Sequence, residues 1–321
     1  MLLDVRDLNV SYPSSSGRAD AVRGVSFNLA EDRTLALVGE SGAGKTSVGL
    51  AILGLLPGNA QVSGQVIVQD NDVLQMRPNE LRAMRGRIVS MVFQDPATGL
   101  NPVLTIGSQV SEVLTNHLGI SKKEAKQESV ALLRKMGIRD AEGVIHQYPF
   151  HLSGGMAQRV MIGIAMALEP RLMIADEATS ALDVTVQAGI LAELRRLREQ
   201  SGTSILLITH DLGVVAQMAD DVAVMYAGHI VEQGTASQVF RDPTHPYTEG
   251  LLATRPRLDS ERMGPLRAIR PPADEGDFEE LCPFLPRCHK ALSRCRVDKA
   301  PALVELEGRH KTACYNPVIP T

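Results

Sequence analysis

The chain has 321 residues, 44% hydrophobic and 22% charged, with 37 acidic against 33 basic side chains and a formal net charge of −4. That balance is ordinary for a soluble globular protein and argues against a nucleic-acid binder working through a broad basic face. Aromatics at 3%, with no tryptophan, also disfavour a base-stacking surface.

In chain order, Leu2–Val10 and Val22–Leu29 read as strands separated by the turn-rich Ser14-Ser15-Ser16-Gly17. Thr34–Val38 is a short apolar run ending at Gly39, and from Lys45 to Leu53 the pattern turns helical until Pro57-Gly58. Gly64–Val68 and Arg87–Phe93 read as strands. Ile106–His117 and Lys122–Met136 are amphipathic helices with no strand between them, which suggests a helical arm inserted into an α/β core. Met156–Leu168 reads as a helix. Strand Leu172–Ala175, helix Val184–Gln200, strand Ile205–Thr209 and helix Leu212–Met218 then alternate, as in a largely parallel sheet covered on both faces. Asp221–Gln233 reads as a hairpin turning at Ala227-Gly228. After Asp242 the composition shifts toward proline, arginine and cysteine. No run approaches the roughly 20 apolar residues of a membrane span. The first residues lack the layout of a signal peptide, so a cytoplasmic location is expected.

Gly39-Glu40-Ser41-Gly42-Ala43-Gly44-Lys45-Thr46 matches the loop that wraps nucleotide phosphates. Glycines 39, 42 and 44 let backbone N–H groups converge on an anion, and the following helix adds its N-terminal dipole. Lys45 supplies a point charge, Thr46 a hydroxyl for Mg²⁺, and Ser41 and Ser47 complete the loop's polar surface. Asp176-Glu177 ends the apolar strand from Leu172. An Asp there holds Mg²⁺ in phosphate-loop enzymes, and the following Glu177 is placed to polarise the attacking water as general base. Two carboxylates capping a strand would be the plain reading without the phosphate loop. Gln94 after an apolar strand and His210 after Ile205–Thr209 would carry little meaning alone.

Together with Leu152-Ser153-Gly154-Gly155, these segments in this order resemble the ATP-binding cassette (ABC) family. The resemblance implies an α/β phosphate-loop cassette with a mixed sheet and an inserted helical subdomain (about 98–168) within residues 1–240. A small cysteine-containing extension over 241–321 follows. It implies ATP and Mg²⁺ as ligands. Gln94, in Phe93-Gln94-Asp95-Pro96, would join Thr46 and Asp176 at the metal and couple to a partner; His210 would contact the γ-phosphate. Tyr12 would stack on adenine. Ser153, Gly154, Gly155 and Gln158 would act on ATP held by a second cassette, and Ser180 and Asp183, in Ser180-Ala181-Leu182-Asp183, would form the dimer contact.

Thr244-His245-Pro246-Tyr247-Thr248 after Val239-Phe240, and Tyr148-Pro149 with Gln158-Arg159-Val160, resemble the oligopeptide/dipeptide importer branch. Phe150-His151 and Ala157 depart from its commonest residues at these places. The resemblance implies the ATP-hydrolysing motor of a binding-protein-dependent importer at the cytoplasmic face of a bacterial plasma membrane. Its partners would be a second, different ATPase subunit, two integral-membrane permeases and an extracytoplasmic solute-binding protein, without nucleic acid. Nickel, a metallophore or another small solute is an alternative cargo. A soluble cassette ATPase of DNA repair or translation is a different class, and the single cassette without a basic surface argues against it. Cys282, Cys288, Cys295 and Cys314, separated by 5, 6 and 18 residues, lie in the extension. Such a cluster in a reducing compartment suggests metal binding. The resemblance implies a [4Fe–4S] centre, with zinc or free or oxidised thiols as the other readings.

Overall fold

The computed structural model describes residues 1–15, 17–179, 183–253, 280–306 and 308–318. β1 (Leu3–Ser14) and β2 (Gly17–Leu29) form an antiparallel hairpin that closes with Ser14 opposite Gly17. Both strands run further than hydrophobic alternation suggests. Residues 17–20 are exposed on both faces and are held by ladder bonding, which leaves no apolar trace in the sequence. β3 (Thr34–Val38) is buried at every position, and α1 (Lys45–Ile52) follows its loop.

β4 (Gln61–Val68) pairs with β1 and with the two-residue β5 (Asn71–Asp72). α2 (Pro78–Met84) begins with proline in its first turn, where the missing N–H costs nothing. β6 (Val89–Val92) and the one-turn α3 (Pro96–Gly99) lead to the arm. The arm is built from α4 (Ile106–Leu118), α5 (Lys122–Lys135) and α6 (Ala141–Val144), followed by α7 (Gly154–Met166). Thr105 caps α4, and Ser121 with Glu124 forms a reciprocal capping box on α5.

β7 (Leu172–Asp176), α8 (Val184–Ser201), β8 (Ser204–Thr209) and α9 (Leu212–Met218) alternate as expected. β9 (Asp221–Tyr226) and β10 (His229–Thr235) form the expected hairpin. α10 (Ala236–Arg241), α11 (Pro246–Ala253), β11 (Val304–Glu305) and β12 (Lys311–Thr312) follow. α10 has its own signal, the capping box Thr235/Gln238, which the composition-based reading passed over.

The strands make two sheets. The smaller is ordered β2-β1-β4-β5 and the larger β11-β12-β10-β9-β3-β8-β7-β6. From β9 to β6 the larger sheet is parallel; β10, β12 and β11 extend it antiparallel. Period-two alternation divides its central strands between two cores. Leu35, Leu37, Leu172, Ile174, Leu206 and Ile208 face α1 and the smaller sheet. Ala36, Val38, Met173, Ala175, Ile205 and Leu207 face α7, α8 and α9. Each fully buried Leu or Ile here is worth about 1.5–3 kcal/mol of apolar transfer. The parallel strands are buried on both faces, so they read as continuous apolar runs. A third core, with Ile106, Val110, Leu133, Val144 and Val160, lies between the arm helices and α7.

The parallel order brings the carboxyl ends of β3, β8, β7 and β6 to one edge of the sheet. The loops leaving that edge carry Gly39, His210, Glu177 and Gln94. In open α/β sheets this edge is where ligands bind.

Candidate functional site

The loop between β3 and α1 forms the floor of a pocket of about 930 Å³. Gly39, Ser41, Gly42, Gly44, Lys45, Thr46 and Ser47 line it, together with Gln94, Glu177 and His210. Two glycines are fixed by geometry. A Cβ at Gly39 would sit 2.1 Å from the Met225 carbonyl oxygen, and one at Gly44 would sit 2.0 Å from that of Ala21. Gly44 also has φ +96°, where a side chain is strained. Gly44 caps α1 without a side-chain acceptor, so the first N–H groups of the helix face the pocket unclaimed by a side chain.

Lys45 is 6% exposed, and its ammonium donates to the carbonyls of Gly39 (2.8 Å) and Glu40 (2.9 Å). Burial lowers its pKa, against the raising influence of Glu177, Asp176 and Glu40. Asp176 is 4% exposed at the end of β7, and burial raises its carboxyl, opposed by a hydrogen bond from the Thr46 hydroxyl and by Lys45. Its Oδ1 is a buried acceptor with no partner. An unpartnered carboxylate oxygen beside a loop threonine is a fit for a hard divalent cation that takes oxygen ligands.

Glu177 has a left-handed backbone, φ +45°, and its N–H donates to the Ile208 carbonyl at 2.8 Å. A non-glycine residue in that region is strained and persists only where its surroundings hold it. Its carboxylate is held on both sides: Gln94 Nε2 donates to Oε2 at 2.9 Å, and His210 Nδ1 lies 2.9 Å from Oε1. The Glu177 side chain is 14% exposed and that of His210 56%. A carboxylate fixed at the mouth of an anion pocket is placed to accept a proton from water attacking a bound phosphate.

The other sequence-derived residues fall elsewhere. Tyr12 stands against α1, with its hydroxyl donating to Ser47 Oγ at 3.0 Å. Ser153 caps α7, and its Oγ accepts from the Met156 N–H at 3.4 Å. Gly154 and Gly155 therefore lie inside the first turn of that helix, two residues before its expected start. Ser153 and Gly154 are exposed and do not line the phosphate-loop pocket of their own chain. Gln158 does not share that exposure. It is 1% exposed, with its Nε2 unpartnered, because it lies on the face of α7 turned into the protein. Asp183 caps α8, accepting from Thr185 and Val186 N–H at 3.1 and 2.9 Å. Ser180 lies outside the described residues.

Two contributors to this region were not singled out from the sequence, Tyr247 and Arg287. The Tyr247 hydroxyl accepts from the Glu40 N–H at 3.0 Å, and Arg287 pairs with the Glu40 carboxylate at 2.9 and 3.2 Å. Tyr247 stands in the Thr244–Thr248 motif, but no local signal marks the contact of either residue with the phosphate loop, because Glu40 lies more than two hundred residues away in the chain.

The cysteines surround a separate small cavity against His245, Phe284 and Lys290. All four are free thiols. Burial pushes Cys282 up to about 11 and raises Cys288 and Cys314, with neighbouring thiols adding to the effect. Among the described residues no group of three or more His, Cys, Asp or Glu is gathered closely enough to hold a metal ion. Nor, among them, is any helix long and apolar enough to cross a membrane.

Comparison with known proteins agrees with this architecture. The model of the ABC transporter family matches residues 22–180, and that of the oligopeptide/dipeptide transporter C-terminal region matches residues 231–295. The chain is 46% identical over 311 residues to the oligopeptide transport ATP-binding protein AppD of Bacillus subtilis, covering 96% of this chain and 94% of the relative. It is 44% identical over 318 residues to OppD of Salmonella typhimurium, covering 99% and 94%. In fold it is similar to the dimeric bacterial ABC transporter cassette MJ0796, with a TM-score of 0.65 and 24% identity, covering 73% of this chain and 99% of that one. The cbiO1 protein of Clostridium perfringens gives a TM-score of 0.62 at 27% identity, covering 75% and 91%. With its phosphate loop and this kinship, the chain is an ATPase of the ABC transporter family, in the branch of the oligopeptide and dipeptide transport ATP-binding proteins.

Proposed function

We propose that this chain is the ATP-hydrolysing motor subunit of a binding-protein-dependent importer for oligopeptides or dipeptides. The observation that carries the reading is Glu177, clasped between Gln94 and His210 at the mouth of the phosphate-loop pocket. In this reading the α1 N-terminus and Lys45 bind the phosphates, exchanging the Gly39 and Glu40 carbonyls for phosphoryl oxygens. Thr46, Asp176 and Gln94 hold Mg²⁺, which neutralises charge on the phosphates when bound. Glu177 accepts the proton of the attacking water, and His210 fixes the orientation of that carboxylate. Catalysis is positioning and charge stabilisation, with no covalent enzyme intermediate.

Ser153 and Gly154 are exposed, and Ser153-Gly154-Gly155 lies away from its own chain's pocket, which supports its use on ATP held by a second cassette. That second cassette is proposed to be a different ATPase subunit, with the Ser180–Asp183 segment at their contact and Tyr12 beside the adenine. Two integral-membrane permeases and an extracytoplasmic solute-binding protein complete the assembly, and the chain sits peripherally at the cytoplasmic face of a bacterial plasma membrane. Residues 1–240 act as the nucleotide-binding domain, its arm over 98–168 reaching the permease, and residues 241–321 form the extension. An apolar core shared by α4, α5, α6 and α7 ties the arm together, and the other face of α7 joins it to the core of the larger sheet.

The cysteine cavity is proposed to hold a [4Fe–4S] cluster through Cys282, Cys288, Cys295 and Cys314. Four free thiols on one cavity suit such a donor set. Because burial raises the thiol pKa values, loading would release protons as thiolates form.

The deciding experiment is ATPase turnover of this chain reconstituted with its companion ATPase and permeases, with empty, peptide-loaded and nickel- or metallophore-loaded binding protein. Stimulation by the peptide-loaded form alone is the expected result. Stimulation only by a metal-loaded form would replace the cargo, and a chain that never assembles with membrane proteins would overturn the importer reading.

A further inference from the structure

Residue 40, the first after Gly39 in the phosphate loop, is held at three separate groups. Its carbonyl accepts from Lys45, its N–H donates to the Tyr247 hydroxyl, and its carboxylate receives both terminal nitrogens of Arg287. Tyr247 and Arg287 belong to the C-terminal segment, beyond the last strand of the β9–β10 hairpin. Arg287 is fixed in its turn: its Nη1 also donates to the Tyr226 hydroxyl at 3.3 Å, and its guanidinium lies 5.7 Å from that ring's centroid. Tyr226, Tyr247 and Phe284 pack as a trio with centroids 4.7–5.5 Å apart. Arg287 also lines the nucleotide pocket, with its side chain only 15% exposed.

An exposed ion pair contributes little. This pair differs in being a planar two-bond fork with a preorganised arginine, and in its position. A carboxylate on the rim of a pocket that must accept a polyanion opposes binding, and the cation beside it cancels that opposition. We infer that Arg287 is a positioning residue of the nucleotide site, which neutralises Glu40 and, with Tyr247, fastens the phosphate loop, so that the C-terminal segment sets the affinity for triphosphate. The inference rests on the pocket being the ATP site. It makes the two partners' substitutions act in opposite directions, which loss of loop packing cannot do.

The test is equilibrium binding of ATP and ADP to the full-length chain, by displacement of a fluorescent ATP analogue, for wild type, R287Q, R287K, E40Q and the R287Q/E40Q double variant. Leaving Glu40 uncompensated in R287Q weakens ATP about tenfold and ADP less, because the effect scales with ligand charge. E40Q tightens ATP about threefold, and the double variant returns to within about threefold of wild type. R287K, which keeps the charge and loses the fork, falls between wild type and R287Q. An unchanged ATP affinity in R287Q, or an E40Q that weakens ATP with no recovery in the double variant, overturns the inference. If Arg287 variants fail to fold, the sign of the E40Q effect decides alone, since that substitution leaves the arginine packed. Wild-type protein that binds no ATP would instead sink the assignment of the pocket, a failure distinguishable from the first.

Discussion

Replacing His245 with asparagine should remove much of the acid sensitivity of the folded chain. His245 is 1% exposed, and its Nδ1 accepts the Tyr247 N–H at 3.1 Å, so the folded protein requires the neutral ring. Burial lowers its pKa from 6.5 to about 4, partly opposed by the nearby Glu232 carboxylate. Below pH 6.5 the unfolded chain therefore takes up a proton that the folded chain refuses, and stability falls with pH until about pH 4 is reached. Integrated between pH 7.5 and pH 5, that difference is about 2 kcal/mol. Asparagine offers a carbonyl acceptor to the same N–H but does not titrate. Urea unfolding followed by far-UV circular dichroism at the two pH values should show H245N losing about 2 kcal/mol less than wild type. His229 is also lowered, first by burial and then by Arg23, and shifts both proteins alike. Burial alone would raise the Glu232 carboxyl, but hydrogen bonds from His310, Thr248 and the Thr244 and His245 N–H groups outweigh it and hold it below 4.5. Its own contribution is present above 4.5 and lost at lower pH, outside the measured interval. Parallel pH profiles for wild type and H245N would refute the reasoning.

E177Q keeps the hydrogen-bonding shape of the residue between Gln94 and His210 but removes the carboxylate proposed as the base. Steady-state turnover should fall about a hundred- to ten-thousandfold with ATP affinity within about threefold of wild type; rapid hydrolysis by E177Q would remove Glu177 from the base role. Anaerobic reconstitution of the full-length chain with iron and sulfide should yield iron and inorganic sulfide in equal amounts. C282S should lower both, while zinc retained in place of iron would reassign the cavity.

The phosphate-loop edge of the sheet was legible as a place in the fold because its sequence signals are local. Gly39–Thr46 and His210 each follow a fully buried strand and Asp176-Glu177 ends one, and a run such as Leu35–Val38 or Leu172–Ala175 announces itself by apolar residues alone. The grip of Gln94 and His210 on Glu177 was not legible. Spacing says which loops share an edge, but not that two side chains converge on one carboxylate. The start of α7 was misplaced for a related reason: Gly154 and Gly155 have poor intrinsic helix propensity, and the Ser153 cap with tertiary packing overrides it. Packing leaves little room there, since a Cβ on Gly155 would meet Val186 Cγ1 at 2.7 Å.

The C-terminal segment shows best why sequence reading stops where it does. Its composition marks it as an appendage, and its cysteines draw attention to metal. Its attachment, however, runs through Glu232, a residue of β10 that is 0% exposed. Glu232 accepts from the N–H groups of Thr244 and His245 at 2.8 Å each, and its Oε1 lies 2.8 Å from His310 Nε2. Removing one partner of such a network leaves a buried charge uncompensated, which is far more costly than losing a surface pair. The same network sets the direction of the chain into Pro246 and Tyr247, and hence delivers the Tyr247 hydroxyl to Glu40. The segment that looks least like part of an ATPase is thus tied at one end to the core sheet and at the other to the phosphate loop. A change at its cysteine cavity, which is lined by Leu285 and by Cys288 next to Arg287, has a short physical route to nucleotide affinity.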